Sequence, residues 1–372
     1  MNVVIAGAGI GGLTAALTLH ARGIGATVLE SARELRPLGV GINLQPRAVA
    51  ELIELGLGDE LAAIGIATAE LAYCDETGRR LFTEPRGLAG GYRWPGYSVH
   101  RGRLQLMLLD AARDRLGANA VRTGSPVVGF EQDRGKVRVQ LPGEAIDGDV
   151  LVGADGIHSV VRAKLHPEEG PFLWSGVQMW RGTTETPPFL DGRTMVIVRD
   201  REAAELVAYP IGPSTVNWVV LARTGDPGPL PGDASWNRTG RLEDVLKHVG
   251  DWRLGWLDVP WLVENSEQIL EYPMVDRDPL PHWGCGRVTL LGDAAHPMYP
   301  VGANGGSQAI LDARALADSL PDGLAAYEKT RRAATAAVVA ANREMQRSGN
   351  EYSAARLEKI TSKYRRDTGA DG

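Results

Sequence analysis

The stretch Val3-Val4-Ile5-Ala6-Gly7-Ala8-Gly9-Ile10-Gly11-Gly12 decides how the rest of the chain is read. Residues 2–6 predict a short buried strand, and Leu13 to Arg22 a helix. Ala26 to Glu30 predict a second strand, which closes a βαβ unit. Gly7, Gly9 and Gly12 fit GxGxxG at the turn between strand and helix. The first glycine permits the turn. The second lets a pyrophosphate approach the backbone, and the third lets helix and strand pack closely. Phosphate charge then meets free N–H groups at a helix N-terminus. Glu30, at the end of the second strand, places a carboxylate where ribose hydroxyls can donate to it. The turn therefore predicts a dinucleotide site, and by itself it does not separate FAD from NAD.

The bulk numbers bound what surrounds this unit. A chain of 372 residues has room for two domains, and 44% apolar with 23% charged residues is ordinary for a globular protein. A net charge of −6, with Arg and Lys dispersed along the chain, argues against a nucleic-acid partner, which calls for a basic stripe. Cys74 and Cys285 form no CxxC pair, zinc spacing or disulfide framework, so two reduced thiols are expected and no metal site. The N-terminus lacks a signal-peptide form, and no run reaches the ~18 apolar residues of a membrane span. A cytoplasmic location is the expectation.

Further along, residues 46–64 predict helix interrupted at Gly56 and Gly58, and residues 101–116 predict another. Val127 to Gln140 predicts a hairpin turning at Asp133-Arg134-Gly135. Val150–Gly153 is a short apolar strand. From about 173 to 275 strand-like runs dominate: Val177–Thr184, Thr194–Arg199, Leu206–Ile211, Val216–Ala222 and Gln268–Val275. Gly225–Asp233 predicts a loop and 241–249 a helix. Arg287–Leu291 returns to a short strand, followed by helices over about 305–320 and 323–348. Residues 365–372 predict a frayed end. The expected fold class is α/β: a Rossmann-type nucleotide-binding domain with an inserted mixed or antiparallel sheet domain and a C-terminal helical segment. Residues 1–70, 98–172 and 276–320 form the first, 71–97 and 173–275 the second, and 321–372 the C-terminal helices and tail.

Two more motifs sit at strand ends. Asp155-Gly156 follows Val150–Gly153 and precedes His158-Ser159-Val160-Val161-Arg162. Gly292-Asp293 follows Arg287–Leu291 and precedes Ala294-Ala295-His296-Pro297. In this order after GxGxxG, they make the chain resemble the flavoprotein aromatic hydroxylases, the class of p-hydroxybenzoate hydroxylase. The resemblance implies non-covalent FAD, NADH or NADPH as co-substrate, oxygen, and a planar aromatic substrate. It implies that Asp293 binds the ribityl chain. It also implies that Asp155 helps hold the pyrophosphate region, near where the nicotinamide docks. Arg101, in His100-Arg101-x-x-Leu104, matches the class's FAD-contacting arginine. Pro300-Val301-Gly302-Ala303-Asn304-Gly305-Gly306 stands where the commoner form has Gly-Gln-Gly, so the chain falls in a subset. Pro300, Gly302, Asn304 and Gly305 are the candidates there, with Gly41 of Leu38-Gly39-Val40-Gly41-Ile42-Asn43 on the other side. Glycines let backbone lie against the flat ring. The following helix directs its positive end at the ring edge where reduced flavin is negative. A flavin hydroperoxide carries the oxygen in this class, so no catalytic side-chain acid or base is expected. His296 reads as packing beside the flavin.

A narrower likeness runs along nearly the whole chain. Arg36–Pro46, Glu84-Pro85-Arg86-Gly87, Met179-Trp180-Arg181-Gly182, Trp236-Asn237-Arg238 and above all Tyr272–Gly284 resemble the phenazine-carboxylate monooxygenases. That family hydroxylates N-methylphenazine carboxylate at the carboxyl-bearing carbon with loss of carbon dioxide. Trp180, Arg181, Tyr209, Trp218 and Tyr272 are the candidates for contact with a flat substrate. Strand alternation allows only one of Trp180 and Arg181 to face the pocket. A flavin halogenase, a prenyl-chain reductase and a non-catalytic flavin module on the same fold are alternatives. No WxWxIP-like segment supports the halogenase, and the absence of a cysteine pair excludes the flavin disulfide reductases. Monomer and homodimer both stay open, as do the two nicotinamides.

Overall fold

Strand Asn2–Ala6 is central to a five-stranded parallel sheet because it is apolar on both faces; Val3, Val4 and Ile5 are inaccessible to solvent. The sheet order is Val288–Leu290, Val150–Gly153, Asn2–Ala6, Gly25–Leu29 and Val121–Arg122, every pairing parallel. The structure, a computed structural model, describes residues 1–37, 39–200, 204–232, 234, 238–348 and 354–368. Leu38, Asp233, Trp236, Asn237 and residues 369–372, each part of a sequence expectation, lie outside them.

Helix Ile10–Ala21 buries every residue from Ile10 to Leu19, as a helix covered on all sides must. It packs on helices Gly305–Ser319 and Arg101–Leu116. Gly11 makes the first contact possible, since a Cβ there would stand 2.6 Å from the Leu291 side chain and 3.1 Å from Ala309 Cβ. The hairpin expected over 127–140 is present and gains a third strand, Glu144–Gly148.

A larger sheet faces the first. Its order is Arg238–Thr239, Leu270–Asp276, Leu173–Glu185, Thr215–Arg223, Glu205–Gly212, Thr194–Arg199, Glu70–Asp75 and Arg80–Pro85, with Gly228–Pro229 paired beside Leu173–Glu185. Only the Thr194–Arg199 and Glu70–Asp75 pair is parallel among its described strands. Alternation gives this sheet two faces. Trp180, Trp218, Val196, Leu206 and Val220 form an outer core under helices Leu242–Val249 and Val259–Glu264. Met179, Arg181, Val207, Tyr209, Val219 and Leu221 point the other way, toward the nucleotide-type sheet. A small sheet of Gly41–Leu44, Gly96–His100 and Gly65–Thr68 links the two.

Helix Leu324–Ser348 crosses behind the site, and helix Ala354–Thr368 folds back over it. The end expected to fray from residue 365 is helical as far as Thr368. An ion pair accounts for this: Arg365 Nη1 lies 2.9 Å from Oε1 of the buried Glu84.

Candidate active site

Between the two sheets lies a cavity of about 450 Å³. Its floor begins at the glycine turn. Gly7 takes φ +100°, and a Cβ there would stand 2.4 Å from the Ala154 carbonyl oxygen. A Cβ on Gly12 would come within 2.0 Å of the Gly7 oxygen. Gly9 is different: nothing lies within 4 Å of its would-be Cβ, and it lines the cavity at the start of a helix with no side-chain cap. That is open space in front of unsatisfied N–H groups, the requirement for a pyrophosphate. Glu30 accepts from the N–H groups of Ala8 and Ala32, each at 2.8 Å, so its carboxylate is fixed beside the turn. Gln105 donates to the Ala8 oxygen at 2.7 Å. It lies one helical turn past Arg101, a spacing that could have singled it out.

Asp293 sits on the cavity wall, surrounded by protein with its side chain open to the cavity. Burial raises its pKa, opposed by the charges of His296 and Arg101. Arg101 also lines the cavity; burial lowers its pKa, the Asp293 charge works against that, and Arg181 adds to it. Asp293, Arg101 and Arg181 thus form one electrostatic group.

The GD turn is held from beneath by residues the sequence did not single out. Asp312 is inaccessible to solvent. It accepts from Gly292 N at 3.0 Å, His296 Nε2 at 2.6 Å and Arg331 Nε at 2.6 Å. Burial alone would raise its pKa, but the charges and hydrogen bonds of His296 and Arg331 hold it at about 2. His296 packs at 5.4 Å on Trp283, which in turn packs on Tyr327. From the other side, Arg162 donates to the carbonyls of Ala294 and Ala295 at 2.8 and 2.9 Å and pairs with Glu169. Asp155 accepts from Ser159 Oγ at 2.5 Å and from the Val160 and Val161 N–H groups, at the start of helix Val160–Leu165, whose N-cap Ser159 accepts from Arg162 N. The DG motif therefore braces the GD motif through Arg162. Gly156, not Asp155, lines the cavity.

The turn at Pro300–Asn304 carries two left-handed residues, Gly302 at φ +67° and Ala303 at φ +59°. Helix Gly305–Ser319 starts there without a side-chain cap, and a Cβ on Gly305 would lie 3.8 Å from Asp293 Oδ1. Gln45 ties the turn to the opposite wall, donating to the Gly302 oxygen at 2.7 Å. Gly41 donates to Asn217 Oδ1 at 2.6 Å; a Cβ there would meet Tyr209 at 2.7 Å. The large sheet can close this tightly only on glycine.

The sheet wall corrects part of the substrate expectation. Trp180 points away from the cavity and stacks on His248 at 5.5 Å, and Trp218 lies in the same outer core with its Nε1 on Ser266. Their strands place them on the face covered by helices, so neither can touch a ligand between the sheets. Arg181, Tyr209 and Tyr272 do line the cavity. The Arg181 guanidinium lies over the Tyr272 ring, 4.3 Å from its centroid. Burial raises the Tyr209 pKa and keeps its hydroxyl protonated.

An uncapped helix N-terminus at an open glycine, carboxylates at Glu30 and Asp293, and a glycine-bearing turn under a flat apolar wall fit FAD. No His, Cys, Asp or Glu cluster among the described residues could hold a metal. No helix among them is long and apolar enough to cross a membrane. Such a fold and site define the FAD-dependent aromatic hydroxylases. The chain belongs to the FAD binding domain family, whose model matches residues 1–227 and 260–342, and it is an FAD-dependent hydroxylating enzyme. Among its relatives is the phenazine 1,6-dicarboxylic acid hydroxylase PhzS of Lysobacter antibioticus, 53% identical over 98% of this chain and 96% of that protein. The 3-hydroxybenzoate 6-hydroxylase 1 of Aquipseudomonas alcaligenes is 36% identical over 89% of this chain and 84% of its own length. The structure of Klebsiella pneumoniae HpxO complexed with FAD and uric acid superposes with a TM-score of 0.80 at 26% identity, covering 99% of this chain and 94% of that one.

Proposed function

We propose that this enzyme hydroxylates a phenazine carboxylate at the carboxyl-bearing ring carbon, with NADH or NADPH as electron donor. The observation that carries it is the Arg181 guanidinium stacked on Tyr272 on the sheet wall of the cavity, beside the apolar side chains of Met179, Val219 and Leu221. A fixed planar cation suits an arene carboxylate, because it offers paired donors in the plane of the carboxyl group. The near full-length likeness to a phenazine dicarboxylate hydroxylase supports the ring system.

When bound, FAD supplies oxygen activation after reduction by the nicotinamide. The chain's own residues do the rest. Gly9 and the helix that follows receive the pyrophosphate, Glu30 the ribose, and Asp293 with Arg101 the ribityl region. Gly41, Pro300, Gly302, Asn304 and Gly305 flank the ring. Tyr209, Tyr272, Met179 and Val219, on the sheet wall, would exclude water from the ring and hold a flat arene beside it. Overall, one oxygen atom enters the ring carbon and the carboxyl group leaves as carbon dioxide. The other oxygen atom leaves as water, with the nicotinamide hydride supplying the two electrons. We assign residues 1–70, 98–172 and 276–320 to FAD binding, 71–97 and 173–275 to the substrate domain, and 321–372 to the helical closure. The paired-free thiol composition, Cys74 buried and Cys285 exposed, fits the cytoplasmic setting we infer.

The test is a panel of phenazine carboxylates, phenols and quinolones scored by arene-stimulated NAD(P)H oxidation. Phenazine mono- and dicarboxylates should stimulate most. Arg181→Gln should raise KM for them by about ten- to a hundredfold, the loss of a charge-assisted hydrogen bond worth about 1.5–3 kcal/mol. Equal stimulation by uncharged arenes, unaffected by Arg181→Gln, would contradict the assignment.

A further inference from the structure

The C-terminal helix Ala354–Thr368 sends Tyr364 into the wall of the cavity, beside the turn at Pro300–Asn304. Its hydroxyl accepts a hydrogen bond from Asn304 Nδ2 and can donate to Asn342 Oδ1 or, at 3.1 Å, to the Val301 oxygen. Asn342, wholly buried on helix Leu324–Ser348, donates in turn to the Tyr299 oxygen at 2.9 Å. One hydroxyl therefore joins two helices to both ends of a turn whose residues 302 and 303 are left-handed. Ala303 is a non-glycine residue at positive φ, a conformation that persists only where its surroundings over-determine it. Gly302 completes the fit: a Cβ there would stand 2.2 Å from the Tyr364 oxygen. Burial raises the Tyr364 pKa, so the hydroxyl keeps its proton and the network does not titrate near neutrality.

We propose that Tyr364 is a positioning residue for the flavin: its hydroxyl fixes Asn304 and the 301–303 turn, so the C-terminal helix sets the electrostatic setting of the ring. The reach of the effect follows from the next element. Helix Gly305–Ser319 begins directly after Asn304 with its N–H groups uncapped by any side chain. Its positive end favours negative charge placed before it, and reduction puts negative charge on the flavin. A turn that can shift changes where that end points, and therefore how strongly reduced flavin is preferred over oxidised. Tyr364 acts through Asn304 and is not itself a catalytic residue. The proposal rests on FAD occupancy and is independent of which arene is hydroxylated.

The experiment compares wild type, Tyr364→Phe and Lys363→Ala as FAD-loaded full chains with no arene present. Phenylalanine keeps the ring that packs against Gly302 and removes only the hydroxyl. Lys363 shares the helix and its ion pair with Glu344 is exposed, so its loss reports helix docking without touching the turn. Circular dichroism and thermal melting establish that each variant is folded. Tyr364→Phe should shift the visible flavin spectrum and weaken the preference for reduced flavin about tenfold, which is about 30 mV for a two-electron couple. Lys363→Ala should match wild type in both. A folded Tyr364→Phe enzyme with unchanged spectrum and potential overturns the proposal, as does an equal shift in Lys363→Ala. If Tyr364→Phe does not fold, Asn342→Leu replaces it. That variant removes the acceptor of the Tyr364 hydroxyl on helix Leu324–Ser348 without adding charge, and the proposal then requires a spectral and potential shift of the same sign. Failure of the phenazine assignment would appear only in the arene panel and would leave these readouts unmoved.

Discussion

At the residue scale, the site works by fixing charges that would otherwise be costly to bury. Asp293 is the clearest case: burial disfavours its carboxylate, and Arg101 and His296 offset that cost. Asp293→Ala should weaken FAD binding by about ten- to a hundredfold, the loss of a charged acceptor worth about 1.5–3 kcal/mol. Fluorescence titration of the apoprotein measures it, and unchanged affinity would remove Asp293 from the cofactor site. Asp312 does a different job. It lies behind the cavity wall and neutralises Arg331 while holding Gly292 in place. Asp312→Asn leaves a buried guanidinium without its counter-charge and should cost about 3–5 kcal/mol of stability. The same group has a pH signature. Its folded pKa, about 2, lies below the ordinary carboxylate value of about 3.9. Its stabilisation is therefore complete above about pH 4 and is lost as pH falls toward 2. Acid unfolding curves of wild type should be steeper across that window than those of Asp312→Asn; parallel curves would refute the assignment.

At the scale of elements, what the sequence made legible followed from how local the cause was. The βαβ opening, the 101–116 helix and the five strand runs expected between 173 and 275 are set by glycine spacing and periodicity, and they lie within a few residues of their expected bounds. Strands Gly65–Thr68, Arg80–Pro85 and Gly96–His100 were not read. Gly65–Thr68 is held by Gly96–His100, and the hairpin of Glu70–Asp75 with Arg80–Pro85 is held to the large sheet through Thr194–Arg199, far along the chain. The site divides the same way. Gly9, Glu30, Arg101 and Asp293 belong to contiguous motifs. Arg162, Asp312, Arg331, Asn342 and Tyr364 carry no local signature, since Arg162 meets its partner Ala294 from 132 positions away. Trp180 shows the limit from another side: alternation said one of Trp180 and Arg181 faces the cavity, and only the helices behind the sheet decide which. The glycine turn makes the sharpest element-level prediction. A methyl group on Gly12 would overlap the Gly7 oxygen, which is backbone and cannot swing aside. Gly12→Ala should lower the melting temperature, with overpacking costing about 1–3 kcal/mol, and should release FAD on gel filtration. A yellow variant with wild-type melting would show that helix and strand are less closely packed than described.

At the scale of the whole molecule, the two largest hydrophobic cores among the described residues flank the cavity. The first core wraps the parallel sheet, and the second lies behind the large sheet under helices Leu242–Val249 and Val259–Glu264. Backing the large sheet with its own core makes it a rigid roof whose inner face can carry Arg181 and Tyr272 at fixed positions. The roof, the nucleotide-type floor and the C-terminal helices together enclose the cavity, and an oxygen-transfer site requires such enclosure if water is to be kept from the activated oxygen. The central claim is that oxygen from O2 enters an arene held in this cavity. The most direct measurement is turnover of a phenazine carboxylate with NAD(P)H under isotopically labelled O2, with the product read by mass spectrometry. The proposed reaction predicts a hydroxylated product carrying one labelled oxygen atom, formed with release of carbon dioxide. A hydroxylated product with unlabelled oxygen, its oxygen drawn from water, would contradict the account.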